Sequence, residues 1–483
     1  MAVYFLYGSR LLFLLLMEMY GRTPIYISRD VNRDNVIEIL GQCILTHSKN
    51  VGEINILYDY YRGKQAVLNR KKEFNDYVLN KIVENRFKEI VDFKTAFTAG
   101  NSIKYSANDQ EYADAVDMLN DFCRLEGKET LDYDLVEWMN IAGTAYRLVL
   151  PKSYAVMEGE SPFYMVTLDP RNAFVAYSSK VTHEPVMCCY VTVDADTQVY
   201  TYSVYAREGD SVKFYEIVDD QITNEDIWTL RTLPIIEYPH GKARLGAAEV
   251  VLPLLDAINN LDSNRLDSVE QFVQSLLVLI NCKLPDGFTA STIKEMGLIE
   301  LISNGENKAA IEQIANVLDQ TNTQTLKEDM MQAIRDIVAM PTVSAQSSGG
   351  DNGLAVLYRN GWEGAYQSAT TDEKAIDASE FTALKLMLEI CDGTGVLNIP
   401  LRAINIDYTR EHYENMQSKV SSLIAMLQND KIHPKVAYEV SGLFYDPNKK
   451  YLEGLKWFEE HGQDETSKEV IEVEEDDSET QTT

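Results

Sequence analysis

Pro341-Thr-Val-Ser-Ala-Gln-Ser-Ser-Gly-Gly-Asp-Asn-Gly353 is a polar, glycine-rich stretch set between two long helical ones. Before it, residues 326–340 carry the spacing of a compact amphipathic helix. After it, residues 363–391 are helical again. The first half of that helix, including Gln367-Ser-Ala-Thr-Thr-Asp-Glu-Lys-Ala-Ile-Asp377, is almost wholly polar. Helices polar all round bridge solvent or pack in arrays. A polar helix joined to a flexible loop suits the wall of a water-filled pore better than a globular core. The bland alternative is an ordinary surface connection leading into a solvated helix face.

Working outward, the same logic gives the rest of the chain. A long helix begins at Gly246, with Val250, Leu254, Ile258, Leu261, Val269, Phe272 and Leu276 on one apolar stripe, and runs into a β-like segment over 276–280. A small α+β piece follows: helix over 289–296, strands over 297–303 and 311–317. Upstream, residues 146–238 are rich in Val, Tyr and Thr in short alternations and predict an antiparallel meander. Residues 31–95 predict helices, broken near Tyr58-Asp-Tyr-Tyr-Arg-Gly-Lys64 with Gly63 as a helix-ending residue. Further helices are predicted over 108–125 and 131–143. Downstream, residues 401–408 return to strand and 411–429 to helix. The fold class is α+β, in a large region interrupted by one small excursion.

The chain carries a net charge of −31, of which the last 21 residues contribute nine acids and one lysine. That tail, from Gln463, predicts disorder. The body still carries −23, which argues against a protein that reads DNA sequence, because phosphate binding needs clustered Lys and Arg. A protein that DNA must slide past without sticking is compatible with an acidic chain. Cys43, Cys123, Cys188, Cys189, Cys282 and Cys391 form no C-x-x-C pair, so neither a zinc site nor a disulfide framework is predicted. They read as reduced thiols of a cytoplasmic protein. Cys188 and Cys189 should point to opposite faces of a strand. Near the start, Leu11-Leu-Phe-Leu-Leu-Leu-Met17 is too short to span a bilayer and no small-residue cleavage site follows it. A signal segment, a packed N-terminal segment and a misplaced start codon are its three readings.

Enzyme signatures fail on inspection. Gly63-Lys64 is followed by Gln65 rather than Ser or Thr, His183-Glu184 lacks a second histidine, and Gly393-Thr-Gly395 lacks a third glycine and sits at a helix end. No catalytic residue, metal site or cofactor is predicted.

Several short motifs occur in a particular order: Tyr60-Tyr-Arg-Gly-Lys64 with Asn69-Arg70; Asn85-Arg-Phe-Lys-Glu-Ile-Val91 with Gly100; Gly143-Thr-Ala-Tyr146; Leu168-Asp-Pro-Arg-Asn-Ala173; Pro234-Ile-Ile-Glu-Tyr-Pro239; Leu245-Gly246; Asp262 with Arg265; Lys431-Ile-x-Pro434; and Glu439-Val-Ser-Gly-Leu443. This order resembles the portal proteins of tailed bacteriophages with long, non-contractile tails, over about residues 30–460. The first 25 or so residues lie outside the likeness. The loop also lacks the aromatic often found before the family's Ser-Gly signature.

The resemblance implies a multi-segment portal fold. Residues 1–25 are unassigned. The wing, of helices plus antiparallel sheet, takes 26–245. A stem helix takes 246–276, a small α/β clip 277–320 and a second stem helix 321–340. A channel loop takes 341–354, a long wing/channel helix with a returning strand 355–409, a helical crown 410–462, and an acidic tail 463–483. The implied function is a non-enzymatic homo-oligomeric ring, expected to be a dodecamer, at one capsid vertex of the virion, assembled in the host cytoplasm. Double-stranded DNA would enter during genome packaging and leave during genome ejection, without sequence specificity. Expected partners are the major capsid and scaffolding proteins, the terminase large subunit and a neck/adaptor protein, with no membrane.

Site expectations follow from this frame. Ser344, Gln346, Ser347, Ser348, Gly349, Gly350, Asp351, Asn352 and Gly353 form the DNA-channel loop, with short hydroxyl and amide groups that touch phosphate without trapping it. Asp372, Glu373 and Asp377 line the channel as negative rings, and Lys374 offsets one of them. Lys283, Lys294, Glu295, Glu306 and Lys308 form the clip surface for the motor and neck proteins. A cytoplasmic oligomeric helical adaptor, or a hydrolase with an unrecognised site, stays open as the alternative.

Overall fold

The helical spacing from Val36 onward becomes a helix of seven turns in the computed structural model. The structure describes residues 21–72, 78–152, 159–228, 230–273, 276–280, 282–283, 302–303, 310–314, 320–342, 361–408, 416–444 and 447–461. The chain divides into two compact units, one ending at Tyr408 and the other starting at Thr409.

In the first unit, α1 (Val36–Tyr61) ends where Gly63 turns with φ +85°. Helix α2 (Arg86–Ala99) is capped by Asn85, whose side chain accepts from Lys88 N. Strand β2 (Lys104–Ala107) precedes α3 (Ala113–Leu125) and α4 (Lys128–Ala142). The Val- and Tyr-rich region forms two sheets rather than one meander. The larger has the order β1-β5-β6-β7-β8-β9, using β1 (Ile25–Ile27), β5 (Ala173–Ser178), β6 (Pro185–Val193), β7 (Tyr200–Glu208), β8 (Ser211–Val218) and β9 (Gln221–Trp228). From β5 to β9 it is an antiparallel meander, and β1 joins its edge in parallel. The smaller sheet has the order β10-β3-β4, with β3 (Thr144–Pro151), β4 (Phe163–Leu168) and β10 (Ile235–Pro239). Local alternation marks strands but does not choose their partners, which is why the division escaped the sequence reading.

One face of the larger sheet packs Phe174, Met187 and Cys189 with Val36, Ile39 and Cys43 of α1. Its other face packs Val175, Cys188 and Tyr205 with Tyr146 and Leu148 of the smaller sheet. The adjacent cysteines therefore do point to opposite sides.

Helix α5 (Leu252–Val273) leaves this body and α6 (Gln320–Ile337) returns to it. Between them β11 (Leu276–Ile280) pairs antiparallel with β14 (Ala310–Ile314), and β12 (Cys282–Lys283) with β13 (Ile302–Ser303). The outgoing and returning chains are thus fastened together. Helix α7 (Trp362–Thr394) follows, about 50 Å long at 1.5 Å per residue. Strand β15 (Ile404–Asp407) then pairs antiparallel with β2.

The lead-in to α5 is held by close backbone packing. Gly143 ends α4 with φ +75°, and a Cβ there would lie 2.0 Å from the carbonyl oxygen of Arg244. A Cβ on Gly246 would lie 2.5 Å from Ile141 O, and one on Gly21 would lie 1.8 Å from Ala243 O. Only glycine fits these positions.

The second unit holds α8 (Met416–Leu427), α9 (Pro434–Ser441) and α10 (Pro447–His461). Helix α9 has Pro434 in its first turn, His433 as its cap and Gly442 (φ +59°) just past its end. Tyr438 packs between Phe444 and Tyr451.

Candidate functional site

The segment carrying the expected channel loop starts and finishes at one spot. Helix α6 stops at Ile337. Val338 is buried, Ala339 turns with φ +52°, and Pro341 is buried. Gly361 (φ +80°) opens α7, and a Cβ on it would lie 3.8 Å from Pro341 Cα. The described residues on either side of 343–360 therefore lie next to each other. Phe93 and Phe97 of α2 stack beside this base, with Trp362 and Tyr366 of α7 packed on them. The loop residues Ser344, Gln346, Ser347, Ser348, Gly349, Gly350, Asp351, Asn352 and Gly353 lie outside the described residues.

The polar half of α7 has a buried face after all. Ala365, Ala369, Asp372 and Ile376 are buried, at spacings of four, three and four. Their small side chains hide among polar neighbours, so apolar periodicity does not reveal them. Between positions 367 and 378 the exposed residues are Gln367, Thr370, Thr371, Lys374 and Ala378. That stripe carries one cation and no carboxylate. Asp372 faces inward and accepts from His240 Nε2 at 3.0 Å. Asp377 is half-buried and accepts from the Tyr408 hydroxyl at 2.8 Å. Glu373 is half-buried as well. Of the four side chains expected on the open face, the structure leaves Lys374 fully there.

The second half of α7 is anchored by a buried charge cluster. Arg147 Nη1 lies 3.1 Å from Glu380 Oε2, and its Nη2 pairs with Asp132. Lys128 Nζ lies 2.7 Å from Asp132 Oδ2 and 2.9 Å from Glu380 Oε1. The hydroxyls of Tyr105 and Tyr238 donate to Glu380 at 2.7 and 2.6 Å. Two cations thus meet two carboxylates, so the cluster is neutral. Burial opposes ionisation of Glu380. The charges of Lys128 and Arg147, with the two tyrosine hydroxyls, outweigh it and hold the carboxyl well below its usual range. The sequence signal was present but unused: Arg147 stands in an otherwise apolar strand, and Glu380 on the buried face of a helix.

Helix α5 also differs from the expected stripe. Val251, Leu252, Leu255 and Ile258 are buried, whereas Val250 and Val269 are half exposed, at 53% and 50%. Beyond Ile258 the buried face turns polar. Asn259 Oδ1 accepts from Glu84 N at 2.9 Å, Ser263 Oγ from Ile82 N at 3.0 Å, and Asp267 Oδ1 from Asn80 N at 2.7 Å. Residues 80–84 carry these donors at every second position along α5, matching acceptors one helical turn apart. Arg70 and Lys72 also pair with Asp267, at 2.9 and 2.6 Å. The side chains of Phe272 and Leu276 lie outside the described residues.

At the excursion, Lys283 lies on β12 with Ile302 as its partner across the strands. Lys294, Glu295, Glu306 and Lys308 lie outside the described residues. Among the described residues there is no cluster of His, Cys, Asp and Glu able to hold a metal ion, and no helix long and apolar enough to cross a membrane.

The family model described as "Phage portal protein, SPP1 Gp6-like" matches residues 40–481. The chain has no match among curated proteins. With nearly its whole length matched, the chain belongs to the SPP1 Gp6-like phage portal protein family, as the order of its motifs led us to expect. The family is a structural one.

Proposed function

We propose that this portal-family chain assembles into a closed ring at one capsid vertex and conducts double-stranded DNA through its centre. The ring is expected to contain twelve copies. Its clip, at the far end of the α5–α6 excursion, is the docking site for the terminase large subunit during packaging and for a neck/adaptor protein afterwards. Its wings meet the major capsid and scaffolding proteins. The observation that supports this reading is the closeness of Pro341 and Gly361, which brings the two ends of the expected channel loop together at the start of the polar half of α7.

The open stripe Gln367, Thr370, Thr371, Lys374 and Ala378 is the proposed channel-facing side of α7. Hydroxyl and amide groups make single phosphate contacts that break easily, and one lysine per copy gives a weak positive ring. Weak contacts repeated around a ring still hold a duplex in place. The chain's overall negative charge prevents bulk DNA adhesion elsewhere. Negative-stain electron microscopy of the purified full-length chain tests the reading. Closed rings with a central opening are expected, and a monomer at every concentration overturns it.

A further inference from the structure

His240 stands where β10 hands over to the lead-in of α5, with its side chain only 21% exposed. Its Nδ1 lies 2.6 Å from the carbonyl oxygen of Leu245, and its Nε2 lies 3.0 Å from Asp372 Oδ1. A carbonyl oxygen only accepts, so Nδ1 carries a proton. The contact to Asp372 then needs a second proton between Nε2 and the carboxyl oxygen. A neutral imidazole facing an ionised carboxylate is one proton short, because two lone pairs would meet.

The surroundings make this contact consequential. The buried apolar residues on the polar half of α7 are chiefly Ala365, Ala369 and Ile376, and alanine methyls contribute little burial. Trp362 and Tyr366 pack the first turns on Phe93 and Phe97, and beyond them polar ties add to the docking of that half. One is His240 to Asp372. A second comes from Lys94 of α2, whose ammonium donates to Ser368 Oγ, and a third from the Tyr408 hydroxyl, which donates to Asp377. Asp372 and Lys94 are the charged groups that act on the imidazole, one from each helix packed against it. The Leu245 side of the contact is fixed by the close packing of Gly143 and Gly246 against the lead-in. The second half of α7 is fixed by Glu380.

We propose that His240 is a protonation-controlled tie, seating the polar half of α7 on the lead-in to α5 while the His240–Asp372 contact holds its proton and releasing that half when the proton leaves. Burial disfavours the imidazolium. The hydrogen bond and charge of Asp372 outweigh it and raise the ring's pKa above the ordinary 6.5, with Lys94 opposing. The tie is therefore complete below the ordinary histidine value and is lost as pH rises through the raised one.

Hydrogen–deuterium exchange of the full-length chain, corrected for the intrinsic pH dependence of exchange and followed from about pH 6 to about pH 9, reads this directly. Peptides from residues 362–377 should lose roughly tenfold protection across one step, while peptides from 380–391 keep theirs. In His240→Gln the first group should be weakly protected throughout, with no step. Asp372→Asn should move the step to lower pH, and Lys94→Met should move it to higher pH. Flat protection in the wild-type chain, or a step that survives in His240→Gln, overturns the proposal. If His240→Gln does not fold, the opposite shifts of the other two variants decide. A shared direction, or no shift, overturns it.

Discussion

Arg147 and Glu380 face each other with both side chains fully buried, 3.1 Å apart between Nη1 and Oε2. The contact joins a strand of the smaller sheet to the long helix α7, and Lys128 and Asp132 extend it to two cations and two carboxylates. Replacing Glu380 with Gln keeps the shape but leaves two cations against one carboxylate. The expected cost is about 3–5 kcal/mol, read as a lower denaturant midpoint at neutral pH. Glu380 is held below the usual carboxylate range, so its contribution is present above the unfolded value of 4.5 and is lost as pH falls through the folded one. The gap between wild type and variant should therefore narrow in strong acid. An equal gap at both extremes contradicts the electrostatic account.

The ladder on α5 makes a graded prediction. Ser263→Ala leaves the half-buried Ile82 N–H without its acceptor and should cost about 0.5–1.5 kcal/mol. Asp267→Ala also strands Arg70 and Lys72 and should cost more. Limited proteolysis should show faster cleavage within residues 65–85 in both variants, with Asp267→Ala the faster. Unchanged cleavage in both means that the ladder does not hold this segment.

Much of this architecture was legible in the sequence, for definite reasons. Apolar spacing located α1, α5 and α6, and the turn at Gly63 was readable because glycine adopts that backbone without steric cost. The opposite aims of Cys188 and Cys189 followed from the two-residue period of a strand. Polar contacts were not legible. A count of apolar positions passes over Asn259, Ser263 and Asp267, although they form the buried face of α5 beyond Ile258. It also passes over Asp372, whose partner His240 lies 132 positions away. The parallel pairing of β1 with β5 depends on contacts between distant segments that no local pattern encodes.

The half-exposed apolar side chains on α5 bear on assembly. Leu266 and Val269 are 38% and 50% exposed in the single chain. In the proposed ring they are covered by a neighbouring copy, each worth up to about 1.5–3 kcal/mol when fully buried. Val269→Asp is expected to leave the chain folded by circular dichroism and to abolish rings in native mass spectrometry. Folded protein that still forms rings would place the contact between copies elsewhere.

The central claim is that residues 341–354 work on DNA in the channel. Replacing Ser347-Ser-Gly-Gly350 with four prolines removes the wide backbone range of the glycines and leaves the base at Pro341 and Gly361 intact. The decisive measurement is the length of DNA protected from nuclease inside heads assembled with this variant. The account predicts intact rings and heads holding DNA shorter than full length. Full-length protected DNA would contradict it and return the loop to an ordinary connector.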